Sequence, residues 1–331
     1  MDLALLEKTL QQRGEPGFRA AQIWDWLARG ARSYAEMSNL PASLREDLSR
    51  ALPLSTLSVE AEAHAADGTE KALFHTHDGR PIETVLMRFR DGRRSLCVSS
   101  QSGCPLTCSF CATGRMKFGR NLTASEILDQ ALHFRRNEPV DHLVYMGMGE
   151  PLLNVDAVLE SAERLPDLGI SHRHTTVSTV GWIPGIERMT ADGPPVRLAL
   201  SLHAPDEALR SELMPVNDRY PLRDVVDACL RWHEARRRKV YIEYVMLDGV
   251  NDRYEQALEL ARVLEPKSAF KVNLIPYNPT DGGFRGSTRA AIEAFRRTLV
   301  ERGVPATVRL TRGRDIAAAC GQLAVQAAAT A

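Results

Sequence analysis

The sequence predicts an α/β fold in which a parallel sheet curls into a full or partial barrel of the TIM type. Strand-like apolar runs alternate with helical runs over most of the chain after residue 92. The six βα units are spaced roughly 20–45 residues apart, which leaves room for a crossover helix between parallel strands. Glycines and small polar residues follow the strand-like runs, at the edge where such barrels carry their chemistry. We therefore expect a partial (β/α)6 barrel over residues 93–331, preceded by two smaller regions.

Residues 1–55 are expected to form a small helical accessory domain. Apolar residues recur at helical spacing over residues 3–10 and 20–27, and a break rich in glycine and proline separates the two runs. A third short helix is expected at about residues 40–52.

Residues 56–92 are expected to form a β extension of the barrel, because the hydrophobic pattern switches there to a period of two. The strand-like runs of this extension are residues 72–76 and 82–88. Those of the barrel are residues 95–100, 142–146, 174–178, 196–202, 240–246 and 270–275, with a late run at 306–310. The helical runs of the barrel are residues 123–137, 155–165, 184–189, 221–237, 253–264 and 288–302.

The charges of the chain balance, with 42 lysines and arginines against 42 aspartates and glutamates. No overall field therefore favours nucleic acid, but basic residues cluster locally. The clusters are Arg88/Arg90/Arg93/Arg94, Arg115/Lys117/Arg120, Arg236/Arg237/Arg238/Lys239 and Arg309/Arg312/Arg314. Each alone is typical of a solvated face, but three of them flank stretches with candidate site residues. The groups near Arg115, Arg236 and Arg312 are expected to contact phosphates if the partner is a nucleic acid.

The start of the chain lacks the basic region of a secretory signal peptide, and no apolar run reaches membrane-spanning length. Six unevenly placed cysteines are typical of a reducing compartment. We expect a cytoplasmic protein without a membrane partner, and a monomer, since no pattern predicts a dimer interface.

The strongest chemical signal is the motif Cys104-x3-Cys108-x2-Cys111, in a loop that follows the first strand of the barrel. Three thiolates can hold three irons of a [4Fe–4S] cluster, and no fourth cysteine lies nearby to hold the last iron. A structural zinc site needs four ligands, and its cysteines usually come in separated pairs. The spacing therefore favours a cluster with one iron open to a ligand.

A glycine turn with a carboxylate, Gly147-x-Gly149-Glu150-Pro151, follows the second strand of the barrel. It is neither a Walker loop nor a dinucleotide fingerprint. Its glycines would let a ligand approach the backbone, and Glu150 suits a cationic amino group. Beside a cluster, this turn predicts a ligand that carries an amino acid group.

Several other residues have both a functional and a structural interpretation. Ser178, Ser201, His203 and Asn278 lie at strand ends and could bind a ribose, a carboxylate or an adenine edge, or could be helix caps and loop contacts. Cys97 lies on the first strand, and Cys320 lies among arginines that favour a thiolate. Glu83, in the middle of a strand, is either a surface residue or a buried general base.

The order of these motifs resembles that of the radical S-adenosylmethionine (SAM) enzymes, and within them the RlmN/Cfr family of ribosomal RNA adenine methyltransferases. The resemblance covers nearly the whole chain, including the helical start. The segments that carry it are residues 18–23, 97–101, 104–111, 121–123, 146–154, 201–205, 213–217, 243–247, 272–279 and 318–323.

The resemblance implies a barrel of the radical SAM type, an RNA-binding role for the N-terminal helices and a role for each candidate residue. Cys104, Cys108 and Cys111 would hold the [4Fe–4S] cluster. Cys320 would be methylated, Cys97 would resolve the product through a transient disulfide with Cys320, and Glu83 would transfer a proton. The residues implied to contact SAM are Gly149, Glu150, Ser178, Ser201, Leu202, His203 and Asn278.

The implied reaction uses two SAM molecules. One methylates Cys320, and the other is cleaved at the cluster by one electron, from a donor such as flavodoxin or ferredoxin. The resulting 5′-deoxyadenosyl radical takes a hydrogen from the methyl group on Cys320, and the methylene radical adds to an adenine carbon. The implied substrate is 23S ribosomal RNA, with transfer RNA left open as a second one.

The position of methylation stays open between two branches of the family, and we expect the C2 branch, RlmN. Residues 150–151 and 243–244 look more like that branch. Residues 213–221 and 238–242 look closer to the C8 branch, Cfr. A rival from another class is a non-catalytic metal–cysteine RNA-binding protein, which would not need Cys97 or Cys320.

Overall fold

The computed structural model describes residues 1–280 and 282–325. It confirms the expected α/β fold, in which helices pack against a sheet of mostly parallel strands. The last part of the expected barrel region, residues 326–331, lies outside the described residues. No helix in the described chain combines the length and the apolar character needed to cross a membrane.

The N-terminal region contains three helices, which are α1 (Leu3–Gln12), α2 (Phe18–Ala28) and α3 (Ala42–Ala51). α1 begins after Asp2, whose carboxylate accepts a hydrogen bond from the N–H of Leu5 and so caps the helix. The indole N–H of Trp24 donates to Asp167 at 2.7 Å, which ties α2 to the rest of the molecule.

Ten described strands form one mixed sheet that begins as an antiparallel meander. The meander contains β1 (Leu57–His64), β2 (Glu70–Thr76) and β3 (Pro81–Arg88), and β3 pairs with β4 (Arg94–Val98). A separate small sheet pairs β5 (Gln101–Ser102) with β6 (Arg120–Asn121). The parallel part runs from β4 through β7 (His142–Tyr145), β8 (Thr175–Thr179), β9 (Arg197–Ser201), β10 (Val240–Met246), β11 (Phe270–Pro276) and β12 (Ala306–Val308).

The parallel strands follow one another in the sheet in the order of the sequence, as expected for right-handed βα units. β10 and β11 pair in register along their whole length, from Val240 with Phe270 to Met246 with Pro276. Their carboxyl ends therefore lie at the same level. β1 and β12 are the edges of the sheet and do not pair with each other in the described chain, so the barrel is partial.

The helices of the barrel region agree with the expected runs and include one more. They are α4 (Ala124–Arg135), α5 (Val155–Arg164), α6 (Ile183–Asp192), α7 (Glu207–Leu213), α8 (Leu222–Arg236), α9 (Tyr254–Val263) and α10 (Arg289–Glu301). The helix that the hydrophobic pattern did not predict is α7. Its seven residues are too few to show a period, and Asp206 starts it by accepting a hydrogen bond from the N–H of Leu209.

After β12 the chain turns back across the carboxyl ends of the strands, and we call residues 309–325 the C-terminal strap. The β extension anchors it, because the N–H of Gly313 donates to Asp67 at 3.1 Å and the N–H of Ala324 donates to Glu83 at 3.0 Å. On the other side, the N–H of Ala112 in the cysteine loop donates to the carbonyl of Gly321 at 2.9 Å. The strap thus joins the β extension to the cysteine loop.

Candidate active site

A cavity opens at the carboxyl ends of the parallel strands, beneath the C-terminal strap. It brings together most of the site residues that the sequence predicted. Those in its lining are Cys97, Cys104, Cys108, Cys111, Gly149, Glu150, Ser178, Ser201, His203, Asn278 and Cys320. The two predicted site residues outside the lining are Leu202 and Glu83.

The cysteine loop is built by close backbone contacts. Gly103 has a φ of +72°, and a Cβ on it would lie 2.6 Å from the carbonyl oxygen of Lys117. The N–H of Cys111 donates to the carbonyl of Cys108 at 3.1 Å. The loop therefore turns tightly enough to direct the cysteines of the motif towards one space.

The arrangement of the three thiols fits a cluster better than a single metal ion. In the described chain, three metal-ligating atoms lie within 4.8 Å of one another only at Glu62, His64 and Glu70 on the β extension, so the three cysteine sulfurs are spread more widely. Zinc–sulfur bonds of about 2.3 Å would bring sulfurs to about 3.8 Å from one another. Burial raises the pKa of Cys104 to about 12, so its thiolate needs a positive partner such as iron.

The glycines of the turn after β7 serve the protein's own packing. A Cβ on Gly147 would lie 2.7 Å from the carbonyl oxygen of Val98, and one on Gly149, whose φ is +97°, would lie 2.5 Å from the side chain of Gln101. The sequence suggested that these glycines admit a ligand. The structure adds that they let the turn lie against the chain after β4, which places Glu150 at the cavity. Both glycines also line the cavity, so their contact with a ligand stays a prediction.

Glu150 is only 2 % exposed, yet it lines the cavity. The carboxylate accepts hydrogen bonds from the N–H groups of Leu152 at 3.0 Å and Val180 at 2.9 Å. Burial raises the pKa of this carboxyl to about 7. A cation in the cavity would stabilise the ionised form, so the position suits an ammonium group.

Small donors lie opposite Glu150 at the next strand ends. The hydroxyls of Ser178, near the end of β8, and Ser201, at the end of β9, lie 3.4 Å apart. His203 has a φ of +59°, and its Nδ1 accepts a hydrogen bond from the N–H of Val245 at 3.0 Å. Burial lowers the pKa of His203 to about 3, so the ring is neutral and its Nε2 carries the proton.

The two predicted site residues outside the cavity are fully buried. Leu202 packs in the hydrophobic core, and only its backbone lies at the strand end, where its N–H donates to the carbonyl of Glu243 at 3.1 Å. Glu83 is 0 % exposed, so the surface interpretation of this glutamate is wrong. Its carboxylate lies 2.8 Å from the ammonium of Lys71 and also accepts the N–H groups of the strap residues Ala324 and Val325.

Cys97 on β4 and Cys320 on the strap line the same cavity although they are far apart in the sequence. The surface of Cys320 is open to solvent at the mouth, whereas Cys97 is half-buried. The surrounding protein raises the pKa of Cys97 to about 12 and that of Cys320 to about 11. Arg309 opposes both increases, which places its guanidinium near both thiols.

The sequence analysis missed an ion pair in the cavity between Glu243 on β10 and Arg309 on the strap, at 3.1 Å. The side-chain amide of Asn273 donates to the same carboxylate at 2.9 Å. A charged residue in the otherwise apolar run of β10 was the signal for Glu243. Arg309 had been counted only as part of a basic cluster.

The basic clusters are mostly engaged within the protein. Arg120 pairs with both Asp78 and Glu126 at 2.7 Å. Arg236 donates to the carbonyls of Met189, Thr190 and Gly193, so the suggested phosphate contact at Arg236 is not supported. Arg115 and Lys117, in contrast, are exposed beside the cysteine loop.

Comparison with known proteins gives two family matches within the chain. The family model described as the radical SAM superfamily matches residues 98–261, and the one described as the ribosomal RNA large subunit methyltransferase N-terminal domain matches residues 1–53. The probable dual-specificity RNA methyltransferase RlmN of Gemmatimonas aurantiaca is 48 % identical over 97 % of this chain and 90 % of its own. The dual-specificity RNA methyltransferase RlmN of Pelobacter propionicus is 44 % identical over 98 % and 94 %.

A solved structure agrees with the sequence comparisons. The crystal structure of a radical SAM methyltransferase from Sphaerobacter thermophilus superposes with a TM-score of 0.90 at 44 % identity, over 97 % of each chain. Identity at this level over nearly the full length of both proteins establishes a common family. The chain is an enzyme of the RlmN family of radical SAM RNA methyltransferases.

Proposed function

We propose that this enzyme methylates C2 of an adenine in 23S ribosomal RNA, with transfer RNA as a second substrate. Catalysis passes through Cys320, with Cys97 as its resolving partner. The observation that carries the proposal is that these two cysteines line the same cavity as Cys104, Cys108 and Cys111. A radical SAM enzyme without a cysteine carrier would not require that arrangement.

The family implies a [4Fe–4S] cluster and SAM, and the cavity offers matching groups for both. Cys104, Cys108 and Cys111 would hold the cluster. When bound, these cofactors supply the one-electron chemistry that an electron-poor adenine carbon requires. Glu150 would accept the ammonium group of SAM.

Neutral donors complete the SAM site in this proposal. The protonated Nε2 of His203 and the hydroxyls of Ser178 and Ser201 would hydrogen-bond the ribose or carboxylate of SAM. Gly149 and Leu202 would contribute backbone rather than side-chain contacts. Each turnover would use two SAM molecules, one of them to methylate Cys320.

The strap gives Cys320 its place over the cavity. Its backbone is held on one side by the cysteine loop and on the other by Glu83. After the methylene carbon has bonded to the adenine ring carbon, the adduct would lose the ring proton and give up one electron, which offsets the electron spent on cleaving SAM. The Cys97 thiolate would then attack the sulfur of Cys320, and the carbon–sulfur bond would break with its electron pair on the methylene carbon. That carbon would take up a proton and become the methyl group of the released base. The protein would be left with a Cys97–Cys320 disulfide, which a thiol reductant must open before the next turnover. Glu83 would take the proton that leaves the base.

The RlmN name of the relatives supports C2, and the N-terminal family model supports ribosomal RNA of the large subunit. Residues 213–221 and 238–242, which look closer to the C8 branch, make C8 methylation the competing outcome. The enzyme would work as a cytoplasmic monomer, with flavodoxin or ferredoxin as electron donor.

Mass spectrometry of nucleosides tests the proposal directly. The anaerobically reconstituted enzyme is incubated with SAM, a reductant and 23S ribosomal RNA or transfer RNA from cells that lack it. We expect 2-methyladenosine in both RNAs, and none with Cys320→Ala, whereas Cys229→Ala, on the buried face of α8, serves as the matched control. Formation of 8-methyladenosine would overturn the C2 assignment. A product in 23S RNA alone would show that transfer RNA is not a substrate.

A further inference from the structure

Arg210 on α7 is 0 % exposed, which is unusual for an arginine. Its Nη1 donates to the side-chain oxygen of Asn217 at 2.6 Å, and its Nη2 donates to the carbonyl of Val180, also at 2.6 Å. Both acceptors are neutral. Its Nε is buried and has no hydrogen-bond partner among the described residues.

The guanidinium of Arg210 has no carboxylate within ion-pair distance in the described chain. Glu207 on the same helix raises the pKa of Arg210 from beyond ion-pair distance, and its carboxylate accepts hydrogen bonds from Asn217 at 2.7 Å and Leu222 at 3.1 Å. Burial lowers the pKa of Arg210 to about 10, so the side chain is still charged at neutral pH. An unpaired buried charge is strongly destabilising, and a counter-charge outside the polypeptide would offset it.

The packing of α7 indicates where that counter-charge lies. The N–H of Ser109 in the cysteine loop donates to the carbonyl of Leu213 at the end of α7, at 3.0 Å. Leu213 and Met214 pack in one buried cluster with Cys108. Arg210 is close enough to Cys108 for the two charges to interact. Cys108 lines the cavity whereas Arg210 does not, so the guanidinium lies outside the cavity lining to which Cys108 belongs.

We propose that Arg210 is the counter-charge of the [4Fe–4S] cluster, acting through the sulfur of Cys108 from outside the cavity. This inference rests on the proposed cluster site. Three thiolates outweigh the positive charge of an oxidised cluster core, and reduction by one electron adds a further negative charge. A buried cation therefore stabilises the reduced state more than the oxidised one and raises the reduction potential.

Arg210 also has a structural contact that the test must separate from its charge. Arg210 donates to the carbonyl of Val180, and Glu150 accepts from the N–H of the same residue, so the two side chains together hold the backbone of this loop residue in place. Loss of Arg210 could therefore lower activity through the loop alone. A reduction potential reports charge near the cluster and is the measurement of choice.

The experiment compares Arg210→Gln, Arg210→Lys and Asn217→Ala in the reconstituted full-length protein. The cluster is titrated with dithionite and followed by electron paramagnetic resonance. For Arg210→Gln we expect the ratio of reduced to oxidised cluster at a fixed potential to fall about tenfold, which corresponds to about 59 mV. Arg210→Lys and Asn217→Ala keep the positive charge and should stay near the wild type, as should Asp129→Asn, which alters a buried charge beside Met1.

An Arg210→Gln protein that holds its cluster and titrates like the wild type would overturn the inference. If this variant releases its cluster too quickly to titrate, the rate of iron loss to a chelator is measured in place of the reduction potential. We expect that rate to exceed the rate in Asn217→Ala, and equal rates would contradict the charge role. A wild-type protein that binds no cluster after reconstitution would instead refute the proposed function itself.

Discussion

The side-chain amide of Asn278 donates a hydrogen bond to the carbonyl oxygen of Cys320 at 3.2 Å. The amide oxygen of Asn278 also accepts a hydrogen bond from Nε of Arg314 at 3.0 Å. The turn after β11 is thereby connected to two points of the strap. Asn278 was predicted to contact SAM. Its two bonds within the protein give it a further role, which is to position Cys320.

Asn278→Ala should therefore affect the transfer to RNA more than the binding of SAM. Loss of a hydrogen bond worth about 1 kcal/mol would let Cys320 move from its place and slow RNA methylation roughly fivefold. Rates of methylation and SAM affinity are measured side by side. Asn278→Asp keeps the acceptor for Arg314 and serves as the control. An equal loss in SAM affinity and rate would point to SAM contact alone.

Replacement of Cys97 and replacement of Cys320 should have different effects on the reaction. Cys320→Ala removes the carrier and should abolish RNA methylation. Cys97→Ala leaves the carrier but removes the thiolate that would release the base, so a covalent protein–RNA adduct should accumulate and be visible on a denaturing gel. Full turnover by Cys320→Ala, or only free methylated RNA at wild-type yield from Cys97→Ala, would contradict the mechanism.

Much of this site could be predicted because its chemistry follows local pattern. Cys104, Cys108 and Cys111 lie within one loop, and strand ends could be located from hydrophobic periodicity alone. The position of Cys97 and Cys320 in one cavity rested on the family resemblance, since no local pattern links β4 to the strap. Periodicity fixed neither the pairing of strands nor the path of the chain after β12.

The contacts that the sequence did not reveal join distant segments. Glu83 was ambiguous because a single glutamate in a strand is usually exposed, and only the fold shows Lys71 and the strap residues around it. Arg210 gave no signal, because α7 was too short to recognise and its burial depends on the cysteine loop packing over it. Tertiary structure decides whether a charged side chain is buried. A hydropathy pattern averages over neighbouring residues and therefore does not show the burial of a single charged residue.

Glu83→Gln tests the proposed proton transfer. The substitution keeps one side-chain oxygen as an acceptor for the strap, but it removes the base. Methylation of Cys320 should continue, while methylation of RNA should fall by about 10²-fold or more, the usual contribution of a general base. Both are followed by mass spectrometry of the protein and of the RNA. A parallel loss of both methylations would show that Glu83 acts only as an anchor.

Glu150 should make the stability of the apoprotein depend on pH. Its pKa is raised by burial to about 7, so between the ordinary carboxyl pKa and about 7 the unfolded state ionises while the folded state stays neutral. The free energy of unfolding that the neutral carboxyl contributes is therefore lost as the pH rises through this window, and the loss amounts to about 3 kcal/mol.

Urea unfolding of wild type and Glu150→Gln at pH 4.5, 6 and 8 measures this effect. The variant keeps a neutral side chain throughout. Its free energy of unfolding, taken relative to that of the wild type, should therefore increase as the pH rises. A difference between the two proteins that stays constant over this range would show that Glu150 ionises normally in the apoprotein.

Arg309 and Glu243 act on the Cys320 thiol with opposite signs. The guanidinium lowers the pKa of Cys320 and the carboxylate raises it, although the protein that surrounds the thiol in the cavity remains the main cause of the raised value. The two groups form an ion pair at 3.1 Å, so each also limits the effect of the other. Removing one charge should therefore change thiol reactivity in the direction that the remaining charge dictates.

In the apoprotein at pH 8, Arg309→Gln should slow the alkylation of Cys320 by iodoacetamide several-fold, because fewer thiolates are present at a higher pKa. Glu243→Gln should accelerate it, because Arg309 then acts without its counter-ion. Peptide mass mapping follows Cys320 separately from the other cysteines. Arg312→Gln is the matched control, since Arg312 lies on the same strap but binds the carbonyl of Asp67. Rates that change in the same direction in both cavity variants would indicate a distorted strap rather than an electrostatic effect.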